Sequence, residues 1–278
     1  MNGLVRLGQA VSELLDEADD VFVLYSALWT FGHRLELGKG SADRVLATVM
    51  EAVGPARTLV LPAYTFAFPQ TRVFDVVRTR PDTGILAETA LKTAGFVRTH
   101  HPIVSHVAHG PRAQELLACQ QSTAWGGDSV MQWFEATRAR VAVLGVAWGQ
   151  GCSFIHRAEE KFRVPYRYHK RFQGRLLIDD VAQGDCSETL FVRPLGIDLV
   201  KGYEIIDAHV SGLESFRASS DDEIPASSAT ADDITALSMS LLAEDPYCFI
   251  QNAREVRIWV RSAMEKEITS LSAEHQPM

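Results

Sequence analysis

Three short, nearly all-apolar runs divide the first half of the chain. They are VFVLY at 21–25, TLVLPA at 58–63 and RVAVLGVAW at 140–148. Apolar runs of this length are typical of strands that are covered on both faces, as in parallel sheets. Between these runs the apolar positions recur every three to four residues, which predicts helices. The chain therefore alternates strands and helices, a pattern typical of an α/β fold.

The remaining apolar positions predict helices before, between and after these strands. They recur at helical spacing over about 3–17, 41–53, 83–95 and 112–120, and again in DITALSMSLLAED and REVRIWVRSAMEKEI near the C terminus. Ser41 and Thr83 are suitable N-terminal caps for two of these helices. Residues 96–102 are predicted to be extended, and the polar segment 216–233 is predicted to be a loop.

From Tyr166 onward the pattern changes, because GRLLIDD and ETLFVRPL are typical of antiparallel strands. We therefore predict an α/β fold with a central mixed, largely parallel sheet and helices on both faces. A small antiparallel β segment and C-terminal helices are added to it. No linker stands out, so we expect a single domain over residues 1–278. Ligands of such folds bind beyond the carboxyl ends of the strands, which Ser26, Pro62 and Gly149 follow or end.

Composition and charge narrow the class of protein. The 278 residues carry a net charge of −8 and four scattered cysteines: Cys119, Cys152, Cys186 and Cys248. The acidity opposes general nucleic-acid binding, and the cysteine spacing argues against a disulfide framework or a cysteine-rich zinc site. No apolar run is long enough to span a bilayer, and the first residues do not resemble a signal peptide. We therefore expect a cytoplasmic protein with neither membrane nor nucleic-acid partners.

A histidine and a glutamate follow the third apolar run. If SFIHRAEE begins a helix, His156 and Glu159 share one face of it. The carboxylate can then hold the imidazole in one tautomer and favour its protonated form. Ser153 would lie near the helix start, where free backbone N–H groups can bind a developing negative charge. An ordinary ion pair on a surface helix has the same spacing, and both interpretations remain open.

Six basic side chains lie around this pair in the sequence. They are Arg157, Lys161, Arg163, Arg167, Lys170 and Arg171. In an acidic chain such a cluster can attract phosphates of a cofactor or of a nucleotide-bearing substrate, although a solvated face has the same pattern. His106 and His109 are predicted to flank a turn. Together with THH at 99–101 they form no zinc-binding motif, so we expect no metal site.

Five segments, in order, resemble the aminoglycoside 3-N-acetyltransferase family. DDVFVLYSALWTFG resembles its strand and His-Ser-Ser-Leu segment, with Tyr25 in place of the usual His and Ala27 in place of the second Ser. TLVLPAYTF, TGILAE, RTHHPIVSHVAHG and SFIHRAE are similar to its Val-Met-Pro-Thr-x-Thr, Gly-x-Leu-x-Glu, Arg-Ser-x-His-Pro-x-x-Ser-x-x-Ala-x-Gly and Thr-x-x-His-x-x-Glu segments. The similarity runs from about Asp20 to Gly174, and more loosely to Phe249.

The resemblance implies an enzyme that transfers an acetyl group from acetyl-CoA directly to a primary amine within a ternary complex. It implies His156 as the general base, with Glu88 or Glu159 as the group that orients it. Ser153 or nearby backbone N–H groups would stabilise the thioester oxyanion. Activity would rise with pH through a pKa near or above that of free imidazole. The implied coenzyme contacts are Ser26, Ala27, Leu28, Thr65, Arg98 and Ser105, and the implied acceptor contacts are Tyr64, His101, Arg163 and Arg167.

One departure bears on the acceptor. Antibiotic-resistance enzymes of this family are suited to polycationic aminoglycosides through acidic pockets, whereas the segment after His156 is strongly basic. We therefore expect an anionic amine, such as a nucleotide-linked amino sugar. Two alternatives remain open: a catalytically inactive homologue that binds CoA or a small molecule, and an O-acyltransferase or thioesterase on the same fold. The sequence also leaves open whether the chain forms a homodimer.

Overall fold

The computed structural model describes residues 2–36, 38 and 40–274, with side chains up to residue 263. The strands are β1 Val21–Ser26, β2 Thr58–Pro62, β3 Val73–Asp75, β4 Val97–Arg98, β5 His106–His109, β6 Arg140–Leu144, β7 Tyr168–Ile178, β8 Val181–Val192, β9 Arg217–Ala218 and β10 Ala226–Thr230. The α-helices are α1 Gly3–Glu13, α2 Ala42–Val53, α3 Phe68–Thr71, α4 Ile85–Leu91, α5 Ala113–Leu117, α6 Val130–Ala136, α7 Trp148–Gly151, α8 Phe154–Phe162, α9 Glu204–His209, α10 Ala231–Glu244 and α11 Ala253–Glu274. Short 3-10 helices cover Leu28–Thr30 and Val210–Gly212.

Seven strands form the central sheet in the order β4-β5-β2-β1-β6-β10-β9. The middle strand β1 runs parallel to β2 and β6, whereas the outer pairings are antiparallel. The three parallel strands are the three apolar runs of the sequence, and they are buried because both of their faces are covered. The predicted mixed α/β class is confirmed, and the parallel pairings are confined to these central strands.

Alternate side chains of β1 enter two different apolar cores. Val21, Val23 and Tyr25 pack in the core that also contains residues of α6, α8 and α10. Phe22 and Leu24 pack in the core that contains residues of α1, α2 and α4. Successive side chains of a strand point to opposite faces of a sheet. The two cores therefore confirm the prediction of helices on both faces.

A separate sheet of three strands has the order β3-β7-β8. The strands β7 and β8 form a long antiparallel hairpin, which confirms the predicted antiparallel segment, and β3 adds a parallel edge strand. The hairpin turn residues Asp179 and Asp180 have left-handed φ angles of 49° and 65°. Their N–H groups donate to the carboxylate of Asp75 at 3.2 and 2.7 Å. Asp75 thus ties the turn to the edge strand.

Two predictions of local structure were wrong. Segment 216–233 is not a loop, because it contains β9, β10 and the start of α10. Strand β10 is largely buried in spite of its small polar residues, since the hydroxyl of Ser228 donates to the carbonyl of Leu14 at 2.6 Å. His106 and His109 begin and end a strand rather than flank a turn. Strands of this kind lack the apolar run that the sequence patterns detect.

The helices agree with the predicted order, and their ends show how the strand ends are held. The C-terminal pair is confirmed as α10 and α11. Gly84, with φ 106°, is the residue before α4, so the preceding Thr83 is not its cap. The Thr83 hydroxyl instead donates to the carbonyl of Pro62 at 2.7 Å and accepts the N–H of Tyr64 at 3.0 Å. Within the described residues, no helix is both long enough and apolar enough to cross a bilayer.

Candidate active site

The carboxyl ends of β1, β2 and β6 open into a cleft of about 800 Å³. Loops that follow parallel strands meet at one edge of the sheet, which is where ligands bind in such folds. Further walls come from the segment that joins α7 to α8, from the end of β8 and from the start of α9. Lining side chains discussed below include Ser26, Tyr64, Ser153, His156, Arg167 and Tyr203.

A glycine at the end of β6 brings two of these walls together. Gly145 has φ 70°, and a Cβ atom there would lie 2.4 Å from Oγ1 of Thr30 and 2.7 Å from the carbonyl oxygen of Ala27. The Thr30 hydroxyl donates to the carbonyl of Gly145 at 2.8 Å. Glycine therefore allows both the left-handed backbone and the close approach, which fix the end of β1 and Ser26 beside β6.

His156 and Glu159 form a hydrogen-bonded pair on α8. Nδ1 of His156 lies 2.8 Å from Oε2 of Glu159. The Glu159 side chain is fully buried, whereas 29% of the His156 side chain is exposed, and it lines the cleft. An ionised carboxylate can only accept a hydrogen bond, so Nδ1 carries the proton and Nε2 keeps its lone pair. The helical spacing therefore brings the two groups together as predicted.

The second oxygen of Glu159 has two more partners. Oε1 accepts the hydroxyl of Tyr166 at 3.1 Å and lies 3.0 Å from Nε of Arg167. Burial by itself would raise the pKa of Glu159, but the Arg167 charge and the His156 hydrogen bond outweigh it and hold that pKa below its ordinary value. Glu159 is therefore an ionised buried carboxylate with every oxygen paired.

Two aromatic rings flank His156. Its ring centroid lies 5.5 Å from that of Trp125 and 5.6 Å from that of Tyr203, which meets it edge to face. Burial among these rings lowers the pKa of His156 below that of free imidazole, although the hydrogen bond to Glu159 opposes the change. The imidazole is therefore neutral near pH 7, the form that can accept a proton.

A polar cluster lies between the ends of β1, β2 and α7. The Tyr64 hydroxyl donates to Oγ of Ser153 at 3.1 Å and lies 3.4 Å from Nε2 of His106. Burial raises the pKa of Tyr64 and lowers that of His106 to about 3, so the phenol stays protonated and the imidazole neutral. The nearby Tyr25 hydroxyl is buried and has no protein partner in the described part of the chain.

Several predicted site residues lie at the cleft. Ser153, His156, Tyr64, Ser26 and Arg167 all line it, and Glu159 lies directly behind His156. The choice that the sequence left open between two glutamates is settled by distance. Glu88 pairs on the surface with Arg80 and Lys92, at 2.8 and 2.9 Å, and does not contact His156. These are salt bridges of the solvent-facing side of α4, so Glu88 is removed from the candidate site.

Three residues predicted to touch the coenzyme hold the backbone instead. Nε of Arg98 donates to Oγ of Ser105 at 3.0 Å, and its other nitrogens donate to the carbonyls of Ala63, Val76 and Thr79. The hydroxyl of Thr65 donates to the carbonyl of Pro102. All three side chains are buried and none lines the cleft. Their donors are already used, so a direct contact with a ligand is not supported.

Four other predicted contacts also lie outside the lining of the cleft. The N–H of Ala27 donates to the carbonyl of Leu144 at 2.9 Å, so it cannot serve an anion. Leu28 lines a separate pocket of about 280 Å³. His101 is half-buried, and burial lowers its pKa to about 4. Arg163 is exposed and ends α8 with a left-handed φ of 60°.

The sequence analysis missed residues that complete the cleft. Glu188 of β8 is buried and accepts the N–H of Ile103 at 2.5 Å and that of Val104 at 3.1 Å. Burial raises its pKa to about 7. Ile103 and Val104 line the cleft, so Glu188 holds one of its walls. A glutamate in the middle of an otherwise apolar strand segment, ETLFV, was the available signal. Among the described residues, no three His, Cys, Asp or Glu side chains are grouped to hold a metal ion.

The fold and the cleft can be compared with known proteins. A family model described as aminoglycoside 3-N-acetyltransferase matches residues 33–191, which is more than half of the chain. The chain belongs to the aminoglycoside 3-N-acetyltransferase family. A search of curated proteins gave no match.

Solved structures of similar fold cover almost the whole chain. The aminoglycoside acetyltransferase AAC(3)-IVa apoenzyme is 18% identical, with a TM-score of 0.70 over 92% of this chain and 96% of its own. A variant of AAC(3)-IVa in complex with a gentamicin is 19% identical, with a TM-score of 0.72 over 91% and 93%. AAC-IIIb, in a binary complex with CoASH, is 21% identical, with a TM-score of 0.70 over 89% and 97%. These similarities establish the fold.

Proposed function

We propose that this protein is an acetyl-CoA-dependent N-acetyltransferase that acetylates a primary amine of an amino-sugar-like or nucleotide-linked substrate, with His156 as its general base. The observation that carries the proposal is the hydrogen bond between His156 and the buried Glu159, 2.8 Å long, in a side chain that also lines the cleft. Family membership supports the acyl-transfer class. A surface ion pair, the other interpretation of the HxxE spacing, would not have a fully buried carboxylate.

His156 has the protonation state that such a base needs. A primary amine is largely protonated in water near pH 7 and has no lone pair until a proton leaves. Nε2 of His156 can take a proton because Glu159 holds the ring with Nδ1 protonated. As the amine nitrogen bonds to the thioester carbonyl carbon, its proton passes to Nε2, the carbon–sulfur bond breaks and the thiolate leaves. The proton then returns from Nε2 to the sulfur or to water, so the products are an amide and a free thiol.

The α8 start supplies groups that can stabilise negative charge on the carbonyl oxygen. Ser153 directly precedes this nine-residue helix, whose first N–H groups have no acceptor within the helix. Tyr64 donates its proton to Ser153, and its raised pKa keeps that proton in place. Preorganised donors of this kind favour the developing oxyanion over the neutral carbonyl.

The acyl donor is assigned by analogy and by fit. AAC-IIIb, which shares the fold, binds CoASH. In this chain the cleft extends from His156 to Ser26, Thr83 and Gly84 at the strand ends. A long cleft with apolar and backbone-rich walls suits a thin pantetheine arm, and Ser26 is the one predicted coenzyme contact that lines it. The relatives that bind gentamicin and apramycin support an amine acceptor with amino-sugar character.

Release of free thiol tests the proposal and separates it from the alternatives. The protein is mixed with acetyl-CoA and a panel of amines, and thiol and N-acetylated product are measured. We expect thiol release only with an amine, in equal amount to the amide. Thiol release without any amine would identify a thioesterase, and release only with alcohols an O-acyltransferase. No release with CoA-dependent thermal stabilisation would identify an inactive CoA-binding homologue.

A further inference from the structure

The charged side chains that line the cleft are unevenly distributed. The cations are Arg167, Arg193 and Lys201, and within the described chain Asp82 is the one carboxylate in the lining. The charge of Arg167 is offset by the buried Glu159, 3.0 Å away. Asp82 lies on the wall beyond β2, where it accepts the N–H of Phe66 at 2.7 Å. Arg193 and Lys201 therefore give the opposite wall a net positive charge.

Both cations lie close to the candidate base, on the far side of one aromatic ring. Nζ of Lys201 lies 5.8 Å from the centroid of Tyr203, whose ring meets His156 edge to face at 5.6 Å. Burial raises the pKa of Tyr203, and the charges of Arg167 and Arg193 oppose that rise. Lys201 also helps burial to lower the pKa of His156. An acceptor whose amine reaches Nε2 would therefore have its remaining groups beside these cations.

Neither cation has a role in holding the fold. Both side chains are exposed, and neither forms an ion pair with any described residue. A chain with a net charge of −8 that exposes two unpaired cations in its cleft concentrates anions there. The same two charges repel a polycationic amine, so they discriminate between acceptors as well as attract one class.

We propose that Arg193 and Lys201 form a binding site for an anionic group, a phosphate or a carboxylate, carried by the amine acceptor. This rests on the proposed function, because the site selects the molecule that is acetylated. The guanidinium fork of Arg193 can bind two oxygens of such a group, and Lys201 adds a compact charge. The basic side chains that select the acceptor therefore come from the end of β8 and the loop before α9, not from α8.

The phosphates of acetyl-CoA do not explain these cations. The thioester and the phosphates of CoA are separated by the whole pantetheine arm. A thioester placed at Nε2 of His156 therefore has its phosphates remote from groups that lie one aromatic ring away from that histidine. The acceptor is the substrate whose charged groups come near Tyr203.

Charge reversal tests this assignment when the KM of each substrate is measured separately. Arg193→Glu and Lys201→Glu are compared with Arg175→Glu, an exposed arginine of β7 outside the cleft. Glucosamine 6-phosphate, glucosamine and kanamycin serve as anionic, weakly charged and polycationic amines, and an amino-sugar uronate tests a carboxylate. We expect glucosamine 6-phosphate or the uronate to exceed glucosamine in kcat/KM. Each cleft variant should raise the KM of the anionic amine by roughly 10–100-fold, lower that of kanamycin, and leave that of acetyl-CoA unchanged.

The outcomes separate the inference from the proposed function. Thiol release that does not depend on the anionic group overturns the inference and leaves the N-acetyltransferase in place. An equal effect of Arg175→Glu, or a rise in the KM of acetyl-CoA in place of the amine, overturns it as well. The loss of the phosphate or carboxylate preference at high salt supports it, because an exposed charge pair is screened. No thiol release with any amine overturns both.

Discussion

Nε of Arg167 lies 3.0 Å from Oε1 of Glu159, the carboxylate oxygen that His156 does not use. One buried carboxylate therefore both orients the imidazole and neutralises a buried guanidinium. The remaining nitrogens of Arg167 donate to the carbonyl of Phe191 and to the hydroxyl of Tyr203, at 3.2 and 2.9 Å. Arg167 thus joins the helix that carries the base to β8 and α9, and the wall of the cleft depends on the same ion pair as the base.

Removing that carboxylate charge should affect stability and activity in ways that can be separated. Glu159→Gln leaves Arg167 buried without a counter-ion, so we expect a loss of about 3–5 kcal/mol in the free energy of unfolding, measured in urea. The double variant Glu159→Gln/Arg167→Met removes both charges and should recover part of that loss. It should not recover kcat, because the imidazole still lacks its acceptor. Recovery of both would show that Glu159 acts through stability alone.

The candidate base can be tested against a histidine outside the cleft. His156→Ala should lower kcat by ~10²–10⁴-fold, the usual contribution of a general base, with little change in CoA affinity. His100 is exposed and does not line the cleft, so His100→Ala serves as the matched control and should retain activity. Turnover of His156→Ala within a few fold of the natural protein would exclude the assigned role.

The dependence of kcat on pH should reflect the lowered pKa of His156. The base is active when unprotonated, so kcat should rise with pH and level off above the pKa of the bound enzyme. Because burial lowers this pKa, we expect the midpoint below 6.5, the ordinary value. The sequence led to the opposite expectation, since a histidine beside a glutamate suggests a pKa that is raised. A midpoint above 7 would contradict the structural argument.

The buried Glu188 should make stability depend on pH in the opposite sense to most carboxylates. Burial raises its pKa from 4.5 to about 7, so the folded protein holds a proton that the unfolded chain has lost over that interval. Its contribution to stability is therefore present below pH 4.5 and is lost as pH rises through 7. Glu188→Gln, which keeps an acceptor for Val104 or Ile103, should remove this dependence in urea unfolding measured between pH 5 and 8. An unchanged pH slope would argue against it.

The sequence predicted those features that depend on local pattern. The apolar runs identified the three parallel strands, and the HxxE spacing brought together His156 and Glu159. Contacts made at long range were not accessible in this way. Arg98 and Ser105 belong to recognisable segments, but only the fold shows that their donors are used by backbone carbonyls. Arg193 and Lys201 lie in segments with no motif, and they reach the cleft only through the hairpin and the loop before α9. The single domain, the homodimer and the cytoplasmic location stay predictions.

The hairpin of β7 and β8 lies outside the central sheet, yet the last residues of β8 and the adjoining Arg193 form part of the cleft wall. The groups that would perform the chemistry are attached to the rigid strand ends and to α8, whereas those that would choose the acceptor are carried on a peripheral ribbon. Mutations in that ribbon can therefore change which amine enters without disturbing the reacting atoms. A scaffold divided in this way can acquire new acceptors in evolution while its acyl-transfer machinery stays constant.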